Sequence, residues 1–370
     1  MQEILARFKD AQLGKVLLRR VREEAERAAD VLGRLPVCME VCGTHTMAIS
    51  RAGLHGLLRD RVVLQSGPGC PVCVTDQADI DACLDLARRR EVTLTTFGDL
   101  LRVPGSRGSL EEERAGGADV RVVYSPSDAV DLAAALPERQ VVFVGVGFET
   151  TAPLVALSVR EAATRGLTNY SVYPSHKLYP PALRALLLDP EVRLDAFLLP
   201  GHASTILGRR RLNFIAAEHG VPGAIAGFEP LDVLSALLEI LRQLAGRRAE
   251  VVNTYPRLVR EEGNPVAVAI MAEVFTPSRA AWRGLGELPG SGLEFKGQWV
   301  AHDAIRRFQV ERVVTRPRRG CLCGEILRGK VKPFDCGHFG RTCTPVSPLG
   351  PCMVSSEGAC AAYYRYERTG

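Results

Sequence analysis

The sequence has no apolar run near the roughly 18 residues that a membrane-spanning helix requires. Its two most apolar stretches, Val141 to Phe148 and Ala267 to Phe275, are much shorter, and we interpret both as buried strands. The amino-terminal segment is charged and has neither the apolar core nor the cleavage site of a secretory signal. We therefore expect a cytoplasmic protein whose eleven cysteines are reduced, metal-bound or catalytic.

A large excess of charge is also absent, since the formal net charge is only +5 over 370 residues. One basic cluster lies near the carboxyl end, and few aromatic residues separate its charges. Its members are Arg306, Arg307, Arg312, Arg316, Arg318 and Arg319. Nucleic-acid sites usually combine such a cluster with stacking aromatics or with a larger positive charge. We therefore predict an ordinary solvated face and no nucleic-acid partner.

The common nucleotide and hydrolase motifs are missing as well. Gly145 to Thr150 begins like a dinucleotide-binding fingerprint, but it lacks the third glycine and the acidic residue about 20 positions later. The chain contains neither a G-x-x-x-x-G-K-[ST] phosphate loop nor a G-x-S-x-G nucleophile elbow. The sequence thus gives no support to a NAD-dependent dehydrogenase, a P-loop NTPase or a serine hydrolase.

What the sequence does contain is an alternation of apolar strands and amphipathic helices, which occurs twice. Such alternation predicts parallel sheets covered by helices on both faces. We predict an α/β fold with two doubly wound parallel-sheet domains that face a cleft, followed by a smaller cysteine-rich C-terminal region. The expected divisions are an N-terminal helical segment over 1–33, domain I over 34–138, domain II over 139–262 and a C-terminal domain over 263–370.

The stretch from Gln65 to Thr75 sets a dithiol between a strand and a helix. Cys70 and Cys73 are separated by two residues, and Thr75 is the expected N-cap of a helix over Asp76 to Arg90. Unpaired N–H groups at a helix start favour thiolate, so both thiols should be unusually reactive. A redox pair is the favoured interpretation, and half of a structural zinc site is the alternative that the spacing leaves open.

Candidate functional groups recur just after predicted strands. They are Cys42, His45, Cys70, Cys73, Asp99, Glu149 and His202. Ligands of open parallel sheets bind beyond the carboxyl ends of the strands, so these side chains could line one cleft. Each also has a structural alternative: the histidines could brace their loops, and the two carboxylates could cap helices. Cys38 and Cys83 fall at apolar positions and are interpreted as core residues.

The C-terminal region carries six cysteines within forty residues, interspersed with glycines. They are Cys321, Cys323, Cys336, Cys343, Cys352 and Cys360. Thiolates select zinc or an iron-sulfur cluster, and four of them suffice for a [4Fe-4S] centre. Because the paired C-x-x-C knuckles of a zinc ribbon are absent, we favour iron-sulfur over zinc. Spacing alone does not choose four ligands from six.

Five motifs together resemble the HypD family of hydrogenase maturation proteins, over residues 33–366. The motifs are Cys42-Gly43-Thr44-His45-Thr46, Gly67-Pro68-Gly69-Cys70-Pro71-Val72-Cys73, Gly147-Phe148-Glu149-Thr150-Thr151, Pro200-Gly201-His202 and Gly350 to Cys360. The one departure is Ala203, which follows His202 in place of the family's usual valine. The resemblance implies a scaffold of two α/β domains and a region with a [4Fe-4S] cluster. With the small chaperone HypC, such a scaffold assembles the Fe(CN)2CO unit of [NiFe] hydrogenases, and HypE, supplied by HypF, provides the cyanide.

The resemblance also implies roles for individual residues. Cys42 would hold the iron with His45 beside it, and Glu149 and His202 belong to further motifs of the cleft. Cys70 and Cys73 would form a redox-active pair. The expected cluster ligands are Cys321, Cys336, Cys343 and Cys360, which leaves Cys323 and Cys352 as a second dithiol that exchanges electrons with the first. Two alternatives stay open: a [4Fe-4S]-dependent thiol-disulfide reductase resembling ferredoxin-thioredoxin reductase, and a zinc-stabilised binding module.

Overall fold

The computed structural model describes residues 10–313 and 320–367. The strands, in chain order, are β1 (Val37–Glu40), β2 (Val63–Ser66), β3 (Val92–Thr96), β4 (Val120–Val122), β5 (Gln140–Gly145), β6 (Tyr170–Pro174), β7 (Ala196–Pro200), β8 (Gly223–Ala226), β9 (Val251–Asn253), β10 (Phe275–Trp282) and β11 (Gly286–Phe295). Nine of them pair in parallel and form two sheets, while β10 and β11 form an antiparallel hairpin.

The helices occupy the connections between these strands and the carboxyl end. They are α1 (Ala11–Leu32), α2 (Gly43–Arg51), α3 (Leu54–Leu58), α4 (Pro71–Val74), α5 (Gln77–Ala87), α6 (Leu110–Ala115), α7 (Pro126–Ala135), α8 (Ala152–Thr164), α9 (Tyr179–Leu188), α10 (Gly201–Leu207), α11 (Phe214–His219), α12 (Pro230–Ala245), α13 (Pro265–Val274), α14 (Ala304–Arg307), α15 (Cys323–Leu327), α16 (Pro351–Val354) and α17 (Ala359–Tyr366). Within the described ranges, none of them is long and apolar enough to span a bilayer.

The two parallel sheets confirm the predicted α/β class, but their strands are distributed differently from the prediction. The first sheet has the order β2-β1-β7-β8-β9, and the second has the order β4-β3-β5-β6. The predicted division at residues 138–139 therefore does not separate the sheets, because each sheet takes strands from both sides of it. The chain leaves the first sheet after β2, builds the whole second sheet, and returns when Ala196 of β7 aligns with Cys38 of β1. Strand alternation predicts that parallel sheets form, but not which strands are neighbours.

Both sheets have a topological switch point, where successive connections leave in opposite directions. In the first sheet it lies between β1 and β7, and in the second it lies between β3 and β5. Open α/β sheets bind ligands in the crevice at such points, beyond the carboxyl ends of the strands. The fold therefore singles out the loops that follow β1 and β7 as a place for chemistry.

Two local predictions are wrong. Residues 267–275 were expected to be a strand, but Pro265–Val274 is helical and only Phe275 begins a strand. The side chain of Asn264 caps this helix by accepting the N–H of Ala267 (3.1 Å), and Pro265 suits the first helical position. Thr75 is not an N-cap either; Asp76 caps α5, and Thr75 ends the short helix α4.

The amino-terminal helix and the basic cluster complete the fold. The helix predicted over residues 3–33 is present as α1 and packs on α12, whereas residues 1–9 lie outside the described part. Arg316, Arg318 and Arg319 of the basic cluster also lie outside it. Of the described members, Arg306 pairs with Asp303 (3.6 Å). The predicted core positions of Cys38 and Cys83 are confirmed, since both thiols are buried.

Candidate functional site

The switch point of the first sheet holds Cys42 and His202. Strand β1 ends at Glu40, and Cys42 then caps α2; strand β7 ends at Pro200, and His202 lies in the first turn of α10. Cys42 is buried, whereas His202 is exposed. This is the position at which an open α/β sheet presents its ligand-binding groups.

Two glycines allow three chain segments to meet around Cys42. A Cβ atom on Gly69 would lie 2.4 Å from the backbone nitrogen of Cys42, and one on Gly43 would lie 2.3 Å from the carbonyl oxygen of Glu357. The Gly43 N–H donates to the Gly69 carbonyl (3.0 Å), and Thr44 Oγ1 donates to Glu357 Oε1 (2.8 Å). The loop after β1, the dithiol loop and the C-terminal segment are thus in direct contact, at distances that only residues without a Cβ allow.

The Cys42 thiol is protonated at neutral pH in this environment. Burial, and then the nearby Glu357 carboxylate, raise its pKa to about 11, although the backbone N–H groups of His45 and Thr44 donate to the sulfur. Burial, and then Asp99, raise the pKa of Glu357 in turn. A cation that binds at Cys42 must therefore displace a proton, and the carboxylate nearest to receive it is Glu357.

Cys70 and Cys73 are joined as a disulfide, with their Cα atoms 5.2 Å apart. Cys70 caps the four-residue helix α4, and its sulfur accepts the N–H of Cys73 (3.1 Å). Both sulfurs are buried, at 3 % and 0 % exposure. The Cys73 sulfur lies 3.8 Å from the carbonyl oxygen of Pro351, the residue before Cys352. The dithiol loop therefore packs directly against the cysteine-rich tail.

The two histidines both pack against Phe228, in the loop after β8. The His45 ring is buried and lies 4.7 Å from the Phe228 ring, and the His202 ring lies 4.0 Å from it. His45 Nε2 is 2.9 Å from the carbonyl oxygen of Gly227, and its Nδ1 has no partner among the described residues. Because burial lowers the pKa of His45 to about 4, the ring is neutral. The His45 ring thus contacts the loop after β8, while the backbone N–H of His45 donates to the Cys42 sulfur.

Glu149 contacts the backbone of Tyr179 at the start of α9. Its Oε1 accepts the backbone N–H of Tyr179 (2.7 Å), and its Oε2 is buried without a partner among the described residues. Burial raises the Glu149 pKa to about 7. The Tyr179 hydroxyl is also buried without a described partner, and burial, followed by the neighbouring Cys42, Glu149 and Glu357, raises its pKa. Tyr179 therefore connects Glu149 to the Cys42 environment.

Three groups of this site escape prediction from the sequence. Glu357 and Ser355 lie in a quoted motif but far along the chain from Cys42, and Tyr179 lies in no motif at all. Ser355 Oγ donates to Asp99 Oδ2 (2.9 Å), which ties the tail to the loop after β3. Asp99 thus contacts the tail instead of serving only as a helix cap. The repeated small residues around Glu357 were the one available signal, since they indicate close backbone packing.

The tail cysteines form a group around Cys323. The thiols of Cys321 and Cys360 both contact Cys323, and the charges of Cys343 and Cys352 act on Cys360. A Cβ on Gly350 would lie 2.7 Å from the Cys323 sulfur, so a glycine is needed there. Cys336 lies at the edge of the group, where its thiol donates to the carbonyl of Gly320 (3.9 Å). Five of the six are buried, and Cys321 is partly exposed.

The donor set of the tail fits an iron-sulfur cluster. Burial raises the pKa of Cys343, and the neighbouring thiols Cys321 and Cys323 raise it further, so the Cys343 sulfur needs a cation to become a thiolate. The N–H of Leu349 already donates to the Cys343 sulfur (3.3 Å), the type of bond that tunes cluster sulfurs. In the described residues, no three His, Cys, Asp or Glu side chains are placed so that they could hold one metal ion. Soft, buried and glycine-lined thiols are the kind of donor that a zinc or iron-sulfur site would take.

Known proteins are similar to this chain over nearly its whole length. The HypD family model, described as "Hydrogenase formation hypA family", matches residues 13–367. The chain is 46% identical over 364 residues to the hydrogenase maturation factor HypD of Rhodobacter capsulatus, with 97% of each protein covered. It is 44% identical over 355 residues to the hydrogenase maturation factor HypD of Escherichia coli K12, with 95% of each covered. The similarity includes both sheets, the hairpin and the cysteine-rich tail.

Proposed function

Because the chain belongs to the HypD family of hydrogenase maturation factors, we propose that it is the scaffold on which the Fe(CN)2CO unit of [NiFe] hydrogenases is assembled. In this proposal the chain works in complex with a HypC chaperone and takes cyanide from HypE, which HypF supplies. One observation supports it above the others. The loop of Cys42, the Cys70–Cys73 loop and the segment around Glu357 are in direct contact at the switch point.

Cys42 is the proposed ligand of the iron under construction. Soft thiolate suits Fe(II) that carries strong-field CN and CO ligands. When the iron binds, Cys42 loses its proton, and the two backbone N–H groups that face the sulfur stabilise the resulting thiolate. Thr44 holds Glu357 beside this thiol as the proton acceptor. HypC would supply the second protein thiolate, so the cargo could leave when the two chains separate.

The two dithiols are proposed to exchange electrons by thiol-disulfide exchange. A thiolate of Cys323 or Cys352 attacks the Cys70–Cys73 disulfide through a mixed disulfide. Cys323 and Cys352 lose two electrons and two protons and form a disulfide, while Cys70 and Cys73 gain them and become thiols. This exchange is supported by the packing of Cys73 against Pro351, the residue before Cys352.

Cys321, Cys336, Cys343 and Cys360 are the residues proposed to hold a [4Fe-4S] cluster. When bound, the cluster would supply one-electron redox chemistry at low potential. The chain's own part is to bury the ligands, orient them with glycine-rich backbone and exclude water.

A reductase that acts on external protein disulfides is the rival function, and burial argues against it. The Cys70 and Cys73 sulfurs are almost inaccessible, so the disulfide of another protein could not reach them without opening the loop. The rival predicts steady turnover of a protein disulfide. The scaffold function predicts that the pair changes oxidation state within the complex.

The decisive experiment replaces Cys42. The variant Cys42→Ser, produced anaerobically with HypC, HypE and HypF, should lose the CN and CO infrared bands of the purified complex, because an alcohol is a poor ligand for this iron. Binding to HypC and the iron and sulfide content of the tail should be retained. The matched control is Cys38→Ala, which removes a buried sulfur from β1, the strand that precedes Cys42. Bands of wild-type intensity in Cys42→Ser would contradict the assignment.

A second experiment tests the division of the tail cysteines. The single variants Cys321→Ser, Cys336→Ser, Cys343→Ser and Cys360→Ser should each lose the brown colour of the anaerobic protein. Cys323→Ser and Cys352→Ser should keep it, because they are assigned to the dithiol. Absorption and iron and sulfide analysis give the readout. The division is wrong if Cys323→Ser becomes colourless while Cys336→Ser stays brown.

A further inference from the structure

A second polar cavity lies away from the Cys42 site, between the end of β6 and the β10–β11 hairpin. Its volume is about 310 Å³. Its walls come from the segment after β6, from the hairpin and from the region around α14, and include His176, Lys177, Ser278, Asp303 and Arg312. None of its lining residues belongs to the five motifs that carry the family resemblance. The cavity is therefore a separate feature of the fold.

Two cations of this cavity share a single carboxylate. Lys177 Nζ lies 3.3 Å from Asp79 Oδ2, and Arg312 Nη2 lies 2.8 Å from Asp79 Oδ1. The hydroxyls of Tyr173 (2.8 Å) and Ser175 (3.2 Å) donate to the same carboxylate. Asp79 thus accepts four donors and has little capacity for more. Lys177 is 2 % exposed, and its other two N–H groups bond no described residue.

His176 adds the observation that points to a ligand. Its side chain is 1 % exposed and lines the cavity, yet neither ring nitrogen has a hydrogen-bond partner among the described residues. Burial, and then the charge of Lys177, lower its pKa to about 3, so the ring is neutral and carries one N–H donor. A buried donor without an acceptor is costly, and native proteins almost always satisfy it.

Unused N–H donors, among them two of the buried Lys177 ammonium, match one kind of ligand, an oxyanion. The walls also limit its charge. Asp303 and Glu294 line the cavity beside the cations, so they would repel a dianion. We propose that this cavity binds a small oxyanion of single negative charge, of carboxylate size, with Lys177 and His176 as its principal donors. This site is independent of the proposed iron chemistry.

The test measures anion binding to the whole chain. Thermal stability is titrated with sodium formate, sodium acetate and inorganic phosphate, each against sodium chloride at equal ionic strength. Formate or acetate should raise the melting temperature in a saturable way, and phosphate should do so less at neutral pH, where much of it is dianionic. A response no larger than that to chloride would overturn the site, and stronger binding of phosphate would overturn the proposed charge of the ligand.

Two variants separate binding from folding. His176→Leu removes the unpaired nitrogens, so it should leave the ligand-free protein at least as stable while weakening carboxylate binding at least tenfold. Lys177→Met should weaken binding by a similar factor. The matched control is Arg279→Gln, since Arg279 lines the same cavity but pairs outward with Glu287 (3.5 Å). Unchanged carboxylate binding in both His176→Leu and Lys177→Met would overturn the proposal.

Discussion

At the scale of single residues, burial decides which groups carry a proton. It raises the pKa of Cys42 to about 11 and of Glu149 to about 7, and it lowers the pKa of His45 to about 4. The sequence predicts that Cys42, Glu149 and His45 follow strands, because strand ends are visible as apolar runs. It does not predict which residues surround them. Beside Cys42, for example, Thr44 and Glu357 are 313 positions apart in the chain and meet only through tertiary packing.

His55 is the exception, because two carboxylates hold it protonated although it is largely buried. Its Nε2 contacts Glu40 Oε1 (2.8 Å) at the end of β1, and its Nδ1 contacts Glu367 Oε1 (2.7 Å) after α17. Burial opposes the charge, but Glu40 and Glu367 raise the pKa of His55 to about 9. The imidazolium therefore ties the C-terminal helix to the first sheet.

This triad predicts a loss of stability at alkaline pH. Since the folded-state pKa lies above the ordinary value of about 6.5, the stabilisation is fully present below pH 6.5 and is lost as the pH rises to 9. The free energy of unfolding in urea should fall by about 3 kcal/mol over this window. His55→Gln should be less stable at pH 6 and nearly flat from pH 6.5 to 9. A control variant, His338→Gln, changes a ring whose one hydrogen bond within the described part of the chain is to the Thr342 hydroxyl, and it should keep the wild-type slope.

At the scale of elements, the sequence predicts strands better than the loops that join them. The apolar stretch Val141 to Phe148, predicted to be a buried strand, contains nearly all of β5. The sequence wrongly predicts a strand for helix α13 because its apolar residues show no clear period; only Asn264 as an N-cap, followed by Pro265, could have indicated a helix. The β10–β11 hairpin was not predicted, since its strands contain many small and polar residues.

The close approach of two loops predicts the effect of adding one methyl group. In Gly69→Ala the new Cβ would clash with the backbone of Cys42, so the loops must separate at a cost of about 1–3 kcal/mol. The amount of iron bound should also fall in this variant, because the Cys42 thiol moves. The matched control, Gly56→Ala, meets nothing within 4 Å in α3 and should be neutral or stabilising by about 0.5–1 kcal/mol. Chemical unfolding and infrared spectra give the two readouts, and wild-type values of both for Gly69→Ala would refute the close approach.

At the scale of the whole molecule, the second sheet is inserted into the first. The strands β3 to β6 follow one another in the chain, whereas the sheet of β1 and β2 is completed only by β7 to β9, which come after the whole second sheet. The tail then closes the assembly, because Glu357 contacts the loop after β1 and Ser355 contacts the loop after β3. The Cys42 site is therefore complete only when all three regions have folded together. No local pattern of the sequence encodes this dependence.

This topology predicts which fragments fold. A fragment of residues 34–138 holds β1 without β7 and β3 without β5, so each partial sheet lacks its central neighbour and should show no cooperative unfolding. A fragment of residues 76–178 holds all four strands of the second sheet with the helices between them, and it should unfold cooperatively. Circular dichroism during urea titration distinguishes the two. If the first fragment unfolded in a single sharp transition and the second did not, the contiguous domains expected from strand alternation would be right, and the interleaved pairing would be wrong.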